Sequence, residues 1–147
     1  MALESKIFTY SADLEWQGGR RAEVSAGERP PFAVGPPAQF PSGDDMHWSP
    51  EHLFLASLQS CTMLSYVAHC AHKGLELVSY RSTAEGAISR NEDDRRYAFQ
   101  FVRMVVYVRM AGGHAAPARE LTPKAERDCY ISASTKADVS TDWRIIE

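Results

Sequence analysis

Two cysteines far apart in the chain, Cys61 and Cys129, are the side chains of this 147-residue sequence best suited to covalent chemistry. A thiolate is a nucleophile, and a second thiol can attack the oxidised sulfur of the first to form a disulfide. With Cys70 the cysteines number three, and none forms a Cys-x-x-Cys pair. An odd count argues against a structural disulfide framework, and the spacing gives no support to a zinc site. One redox arrangement remains possible for these cysteines, namely a pair of thiols that are distant in sequence and close in space.

Cys61 has two interpretations that the residues around it leave open. It falls on one helical stripe with Phe54, Leu58, Leu64 and Ala68, so it can be a small apolar side chain that fills space in a core. An apolar setting alone would also raise its pKa and make it unreactive. A reactive Cys61 therefore needs a cation brought to it from elsewhere in the chain.

Arg20 and Arg21, which follow a Gly-Gly turn, are the candidates for that cation. A carboxylate such as Glu51 could orient an arginine through paired hydrogen bonds. Glu51 and Cys61 are separated by ten residues, which is roughly 15 Å and about 80° of rotation on a straight helix. The two side chains therefore cannot touch on such a helix. The arginine must bridge them, the helix must break, or a second subunit must contribute.

The helix that carries Cys61 is bounded by clear signals at both ends. Ser49 suits the N-cap, Pro50 the first helical position and Glu51 the positive end of the helix dipole, while Lys73-Gly74 supplies a typical end. Between Glu51 and Lys73 there is no Asp, Glu, Lys or Arg. We therefore expect a long central helix that protein covers on nearly all sides.

The remaining elements follow from hydrophobic periodicity. The pattern predicts strands over 7–16, 21–25, about 75–89, 97–110 and 139–145, a short strand near 38–40, and a second helix over about 119–130 that could equally start at Thr122. The order is β-β-(β)-α-β-β-α-β, with hairpin strands and two helices grouped against them. This predicts an α+β fold with antiparallel sheets, built as a single domain over residues 1–147.

Composition limits the classes of partner. A net charge of −3 and a pI near 5.9 do not favour nucleic-acid binding. The N-terminus lacks the pattern of a secretory signal, so we expect a soluble cytoplasmic protein. The predicted helix is too polar to face lipid, because it carries Ser57, Gln59, Ser60, Thr62, Ser65, His69 and His72. We expect no membrane association and no cofactor. We also expect no metal site, since His69 and His72 have no obvious carboxylate partner.

Two motifs carry a resemblance to a known family. They are Ser-Pro-Glu-x-Leu-x-x-Ala-x-x-x-x-Cys over residues 49–61 and Ala-Glu-x-x-Cys-x-x-Ser over residues 125–132. With the strand pattern, they resemble the OsmC/Ohr family, named for osmotically inducible protein C and organic hydroperoxide resistance protein. The resemblance implies an intertwined α+β homodimer with active sites at the subunit interface.

The resemblance also implies an activity and a role for each residue. Members of the family reduce organic hydroperoxides to alcohols. By motif, Cys61 would be the peroxidatic thiolate and Cys129 the resolving thiol. Glu51 would be the orienting carboxylate, and Arg20 or Arg21 the activating arginine. The implied partners are an organic hydroperoxide and an external thiol or dithiol reductant.

The implied chemistry is consistent with the residues. Attack of a Cys61 thiolate on a peroxide leaves a sulfenic acid, which Cys129 converts into a disulfide before further oxidation. The alternative is a non-catalytic ligand-binding or redox-sensing protein on the same fold, in which Cys61 lines an apolar pocket without being activated.

Overall fold

A computed structural model describes residues 5–147 as two three-stranded sheets and four helices. The elements are β1 Asp13–Gly18, β2 Arg21–Ser25, β3 Phe32–Val34, α1 Pro50–His72, β4 Leu77–Arg90, β5 Tyr97–Met110, α2 Ala115–Arg119, α3 Thr122–Arg127, α4 Tyr130–Ala133 and β6 Asp138–Ile146. The chain divides into two compact units, and the boundary in the sequence falls within α1. The first ends at Leu53, and the second is Phe54–Glu147. The predicted α+β class is confirmed.

The first unit contains an antiparallel meander of β1, β2 and β3. Its first turn uses Gly18 and Gly19, both at positive φ, a conformation that glycine adopts without steric cost. The predicted strand over residues 7–16 is wrong at its start, because β1 begins at Asp13, which pairs with Ser25 at the far end of β2. A strand needs a partner for its backbone groups, and β2 offers none to the residues before Asp13.

The short strand predicted near residues 38–40 is also misplaced. The third strand is β3, which pairs with β2 through contacts such as Ala22 with Val34. Residues 37–43 instead form successive turns, in which Phe40 N–H donates to Pro37 O and Gly43 N–H to Phe40 O, both at 3.0 Å. Proline supplies no N–H to a strand ladder and suits such turns.

In the second unit, β4 and β5 form a long antiparallel hairpin, and β6 lies parallel to β5. The prediction of antiparallel sheets is therefore wrong for β6, which is parallel because α2, α3 and α4 carry the chain back before β6 starts. The predicted apolar face of β5 is confirmed, since its alternate residues are almost fully buried; they are Val102, Met104, Val106, Val108 and Met110. Leu58, Thr62, Tyr66 and Cys70 are the buried residues of α1 at four-residue spacing.

One face of α1 stays exposed in the single chain. Leu64 is 63% exposed and Val67 is 37% exposed, and Ser60, Ala68 and Ala71 continue the same stripe. The single chain therefore does not supply the cover on nearly all sides that the sequence predicts. The helix is long and apolar enough to cross a membrane, but the central helix of a soluble domain can have the same length and composition.

The predicted second helix over 119–130 is three short helices instead. α3 begins at Thr122, the alternative predicted start, with Pro123 in its first turn. Proline lacks the N–H that a continuing helix needs and is tolerated only near a helix start. The helical segment therefore breaks before Thr122, and it breaks again at Cys129, whose backbone is extended.

Candidate functional site

The second unit brings the two predicted redox cysteines together. Cys61 lies in the middle of α1 and is partly exposed, while Cys129 directly precedes α4 and is 1% exposed. The two thiols lie close enough for each to alter the pKa of the other. A disulfide requires two cysteines whose Cα atoms lie within about 7 Å, and this proximity makes Cys61 and Cys129 the candidate pair.

Cys129 is the thiol whose ionisation the single chain favours. Burial alone would raise its pKa, but the neighbouring polar groups of Ser132 and a hydrogen bond from Thr62 outweigh burial and lower it. The Thr62 hydroxyl donates to the Cys129 sulfur at 3.7 Å. Donors to a sulfur stabilise the thiolate relative to the thiol.

Cys61 shows the opposite behaviour. Burial raises its pKa, hydrogen bonds from the backbone N–H groups of Ile131 and Tyr130 oppose burial, and Cys129 raises the pKa further. None of these main influences is a cation. The main influences on Cys61 thus do not include the positive charge that activates a reactive cysteine.

The segment that carries Cys129 is tied to α1 by polar contacts. His69 Nε2 lies 2.9 Å from Asp128 Oδ2, and the Ser65 hydroxyl donates to Ala125 O at 3.0 Å. Asp128 also accepts hydrogen bonds from Arg127. These contacts fix α3 one to two helical turns beyond Cys61 and thereby hold Cys129 against the middle of α1.

Behind Cys129 is a cavity of about 100 Å³. Its lining combines hydroxyl, carboxyl and apolar groups, from Thr62, Met104, Glu126, Cys129, Ser132, Val139 and Thr141. A cavity of this size with several polar groups can hold ordered water.

The first unit holds the predicted charged residues. Arg21 forms an ion pair with Asp44 and donates to Ser42 O at 3.2 Å. Arg20 makes one hydrogen bond, at 3.3 Å, to Pro41 O. Both arginines and Glu51 line one cavity of about 450 Å³, whose other walls are largely apolar.

Glu51 occupies this cavity without a complete set of partners. Its Oε2 atom is buried and has no hydrogen-bond partner among the described residues, and no ion pair joins Glu51 to Arg20 or Arg21 in the part of the chain that the structure describes. A buried carboxylate oxygen without a donor costs free energy. The cavity thus contains both cations and an unsatisfied carboxylate oxygen.

The predicted site residues therefore fall into two groups, each within its own unit: Cys61 with Cys129, and Glu51 with Arg20 and Arg21. Sequence reasoning missed Asp44, Thr62 and Asp128. Asp44 lies in a Pro- and Gly-rich segment that composition marks only as a surface loop. Thr62 carries one available signal, since it directly follows Cys61 and is the polar residue of a buried helical stripe.

The fold and the paired thiols define an α+β domain with a two-cysteine site. The sequence profile of the OsmC-like protein family matches residues 43–144, and the chain belongs to that family. A comparison with curated protein sequences finds no match.

Solved structures share the fold at low sequence identity. An OsmC-like protein of unknown function from Vibrio cholerae superposes with a TM-score of 0.84 at 19% identity, over 93% of this chain and 99% of the other. An organic hydroperoxide resistance protein from Elizabethkingia anophelis gives 0.74 at 20% identity, over 98% and 99%. The protein OhrB of Bacillus subtilis, also an organic hydroperoxide resistance protein, gives 0.62 at 18% identity, over 94% and 98%. At such identities the superpositions show the fold alone.

Proposed function

We propose that this protein is a thiol-dependent peroxidase that reduces organic hydroperoxides to alcohols. The observation that carries the proposal is the proximity of Cys61 and Cys129. Thr62, the residue next to Cys61, donates to the Cys129 sulfur at 3.7 Å, and each thiol alters the pKa of the other. Membership of the OsmC-like family and the likeness to organic hydroperoxide resistance proteins support the same class of substrate. The site would be located in the cytoplasm, where an external thiol or dithiol is available as reductant.

The reaction uses both sulfurs in turn. The Cys61 thiolate attacks the distal oxygen of the hydroperoxide, the O–O bond breaks, and the alkoxide takes up a proton to leave as an alcohol. Cys61 is then a sulfenic acid. The Cys129 thiolate attacks this sulfur, an S–S bond forms, and hydroxide leaves as water after protonation. An external dithiol reduces the disulfide by thiol–disulfide exchange and is itself oxidised.

Activation of Cys61 needs a cation, which is not among the main influences on its pKa. In this proposal Arg20 or Arg21 provides the charge and Glu51 orients the guanidinium, either in the same chain or from a second copy. Two observations favour a homodimer, namely the exposed apolar stripe of α1 and the buried Glu51 oxygen without a donor. A second copy would cover the stripe.

The alternative is a non-catalytic ligand-binding or redox-sensing protein on the same fold. The raised pKa of Cys61, which burial causes, favours this alternative, as does a largely apolar cavity of about 450 Å³. In that case the cavity would bind a ligand whose affinity is largely unchanged by Cys61→Ser.

The first experiment is the reaction of the reduced protein with one equivalent of cumene hydroperoxide, followed by peptide mass mapping without reductant. The peroxidase predicts a rapid and quantitative Cys61–Cys129 disulfide that Cys61→Ser abolishes and that forms slowly with hydrogen peroxide. Cys70 is an internal control, because it is a fully buried core thiol. Unmodified thiols, or slow scattered oxidation that includes Cys70, would leave the binding protein as the better description.

A further inference from the structure

We propose that Asp44 is a positioning residue of this site, which holds the guanidinium of Arg21 at the cavity shared with Glu51. It follows that Arg21, and not Arg20, is the activating arginine. This inference rests on the proposed peroxidase function and goes beyond it by assigning the arginine and its anchor.

The Arg21 guanidinium is held from two directions. One terminal nitrogen donates to the Asp44 carboxylate and the other to Ser42 O. Ser42 has a positive φ of 64°, which a non-glycine residue adopts only where other contacts compensate for the strain. The loop backbone is therefore bent so that a carbonyl and a carboxylate converge on one arginine.

Gly35 leaves room for the same side chain. A Cβ atom at Gly35 would overlap the guanidinium of Arg21. The loop closes tightly as well, since a Cβ at Gly43 would overlap the carbonyl of Pro37. Two glycines thus permit close approaches, one to Arg21 itself and one within the loop that carries Asp44.

The carboxylate of Asp44 is also held in place by contacts with residues other than Arg21. Its Oδ1 atom accepts the backbone N–H groups of Met46 at 2.8 Å and His47 at 3.0 Å, and the His47 ring lies 3.0 Å from Oδ2. The hydrogen bonds from Met46 and His47 lower the pKa of Asp44 to about 2. Asp44 is therefore ionised near neutral pH, and its hydrogen bonds fix the orientation of its carboxylate.

Arg20 has no such anchor. Its side chain is exposed and donates one long hydrogen bond to a backbone carbonyl, whereas Arg21 keeps 29% of its side chain exposed. A long flexible side chain loses much rotamer entropy when it is ordered for a reaction. Asp44 has already ordered Arg21, so Arg21 can act on a thiolate or on Glu51 at lower entropic cost.

The test compares Asp44→Asn with Asp45→Asn, which removes a neighbouring exposed carboxylate. The readouts are the second-order rate of Cys61 oxidation by cumene hydroperoxide and the pH profile of Cys61 alkylation. We expect Asp44→Asn to lower the oxidation rate by roughly tenfold, as the loss of a charge-assisted anchor implies, and to move the alkylation profile to higher pH. Asp44→Glu should recover part of the rate, and Asp45→Asn should match the unaltered protein.

Gly35→Ala covers the case in which Asp44→Asn fails to fold. It keeps the carboxylate but displaces the guanidinium, so it should slow Cys61 oxidation in the same way. Rates for Asp44→Asn or Gly35→Ala equal to that of Asp45→Asn would overturn the proposal. A faster rate would also overturn it, because Asp44 would then withhold Arg21 from the site.

Failure of this inference is distinguishable from failure of the peroxidase function. If the unaltered protein forms no Cys61–Cys129 disulfide with cumene hydroperoxide, the function itself is wrong. If the disulfide forms rapidly and Arg21→Lys prevents it while Asp44→Asn does not, the function stands and only the anchor is wrong. If Arg20→Lys slows oxidation and Arg21→Lys does not, the choice of arginine is wrong.

Discussion

The hydroxyl of Thr62 donates a hydrogen bond to the sulfur of Cys129 at 3.7 Å. Thr62 follows Cys61 directly, so one residue of α1 binds the sulfur of Cys129 while its neighbour in the sequence carries the other thiol. Thr62 is 2% exposed and Cys129 is 1% exposed. The central helix therefore both carries one sulfur of the pair and stabilises the thiolate of the other.

This contact predicts that Cys129 ionises less readily when its donors are removed. In Thr62→Val the Cys129 thiolate loses this hydrogen bond, and in Ser132→Ala it loses a neighbouring hydroxyl that lowers its pKa. In both variants the pKa of Cys129 should rise, and the proposed attack on the Cys61 sulfenic acid should become several-fold slower. The measurement is the pH dependence of Cys129 alkylation, together with the yield of overoxidised Cys61 at excess peroxide. Thr141→Val is the matched control, because Thr141 lines the same cavity without a hydrogen bond to Cys129. Equal alkylation profiles for all three variants would refute the role of the donors.

Two tyrosines of the second unit predict opposite effects on stability. The Tyr66 hydroxyl donates to Ala118 O at 3.2 Å, whereas the buried Tyr80 hydroxyl has no partner among the described residues. Tyr66→Phe should lower the free energy of unfolding by about 1 kcal/mol, the net value of a hydrogen bond. Tyr80→Phe should leave it unchanged or raise it, because it removes an unsatisfied group. The measurement is urea unfolding of both variants. A larger loss of unfolding free energy for Tyr80→Phe than for Tyr66→Phe would contradict the structure.

Asp128 predicts a loss of stability in acid. Its pKa is lowered, first by the side chain of Arg127 and then by His69. A carboxyl group whose pKa is lower in the folded state stabilises the fold above its unfolded pKa, and this contribution is lost as the pH falls through the folded value. Asp128→Asn should therefore lower Tm at pH 7, and the difference from the unaltered protein should shrink toward pH 3. The comparison is Asp142→Asn, which removes an exposed partner of Arg144. A pH-independent difference for Asp128→Asn would contradict a stabilising role of the Asp128 carboxylate.

The exposed stripe of α1 predicts an interface with a second copy. Leu64→Glu places a charge in that stripe, so a dimer that buries it should dissociate, because an unpaired charge at an apolar interface is costly. Light scattering after size exclusion should then give 16.4 kDa in place of twice that mass. Val78→Glu is the control, since Val78 on β4 is 61% exposed, close to the 63% of Leu64. A monomer in the unaltered protein would remove the basis of the proposed homodimer.

The sequence by itself determined the local features that depend on neighbouring residues. β2 and β5 lie where periodicity predicts them, and α1 begins at Pro50, because alternation, capping and the fixed φ of proline act over only a few residues. The family resemblance at residues 49–61 and 125–132 is likewise confirmed by the profile match over residues 43–144.

Tertiary structure decided the length of β1, the position of β3 and the division of the second helical segment. Strand length depends on how far a partner strand extends, and periodicity carries no such information. The same is true of the partners of the charged groups. The sequence is compatible with an ion pair between Glu51 and Arg21. In the structure Arg21 pairs with Asp44 instead, because the loop brings residue 44 close to residue 21. Which charges meet is set by the path of the backbone through space, and spacing in sequence does not encode that path.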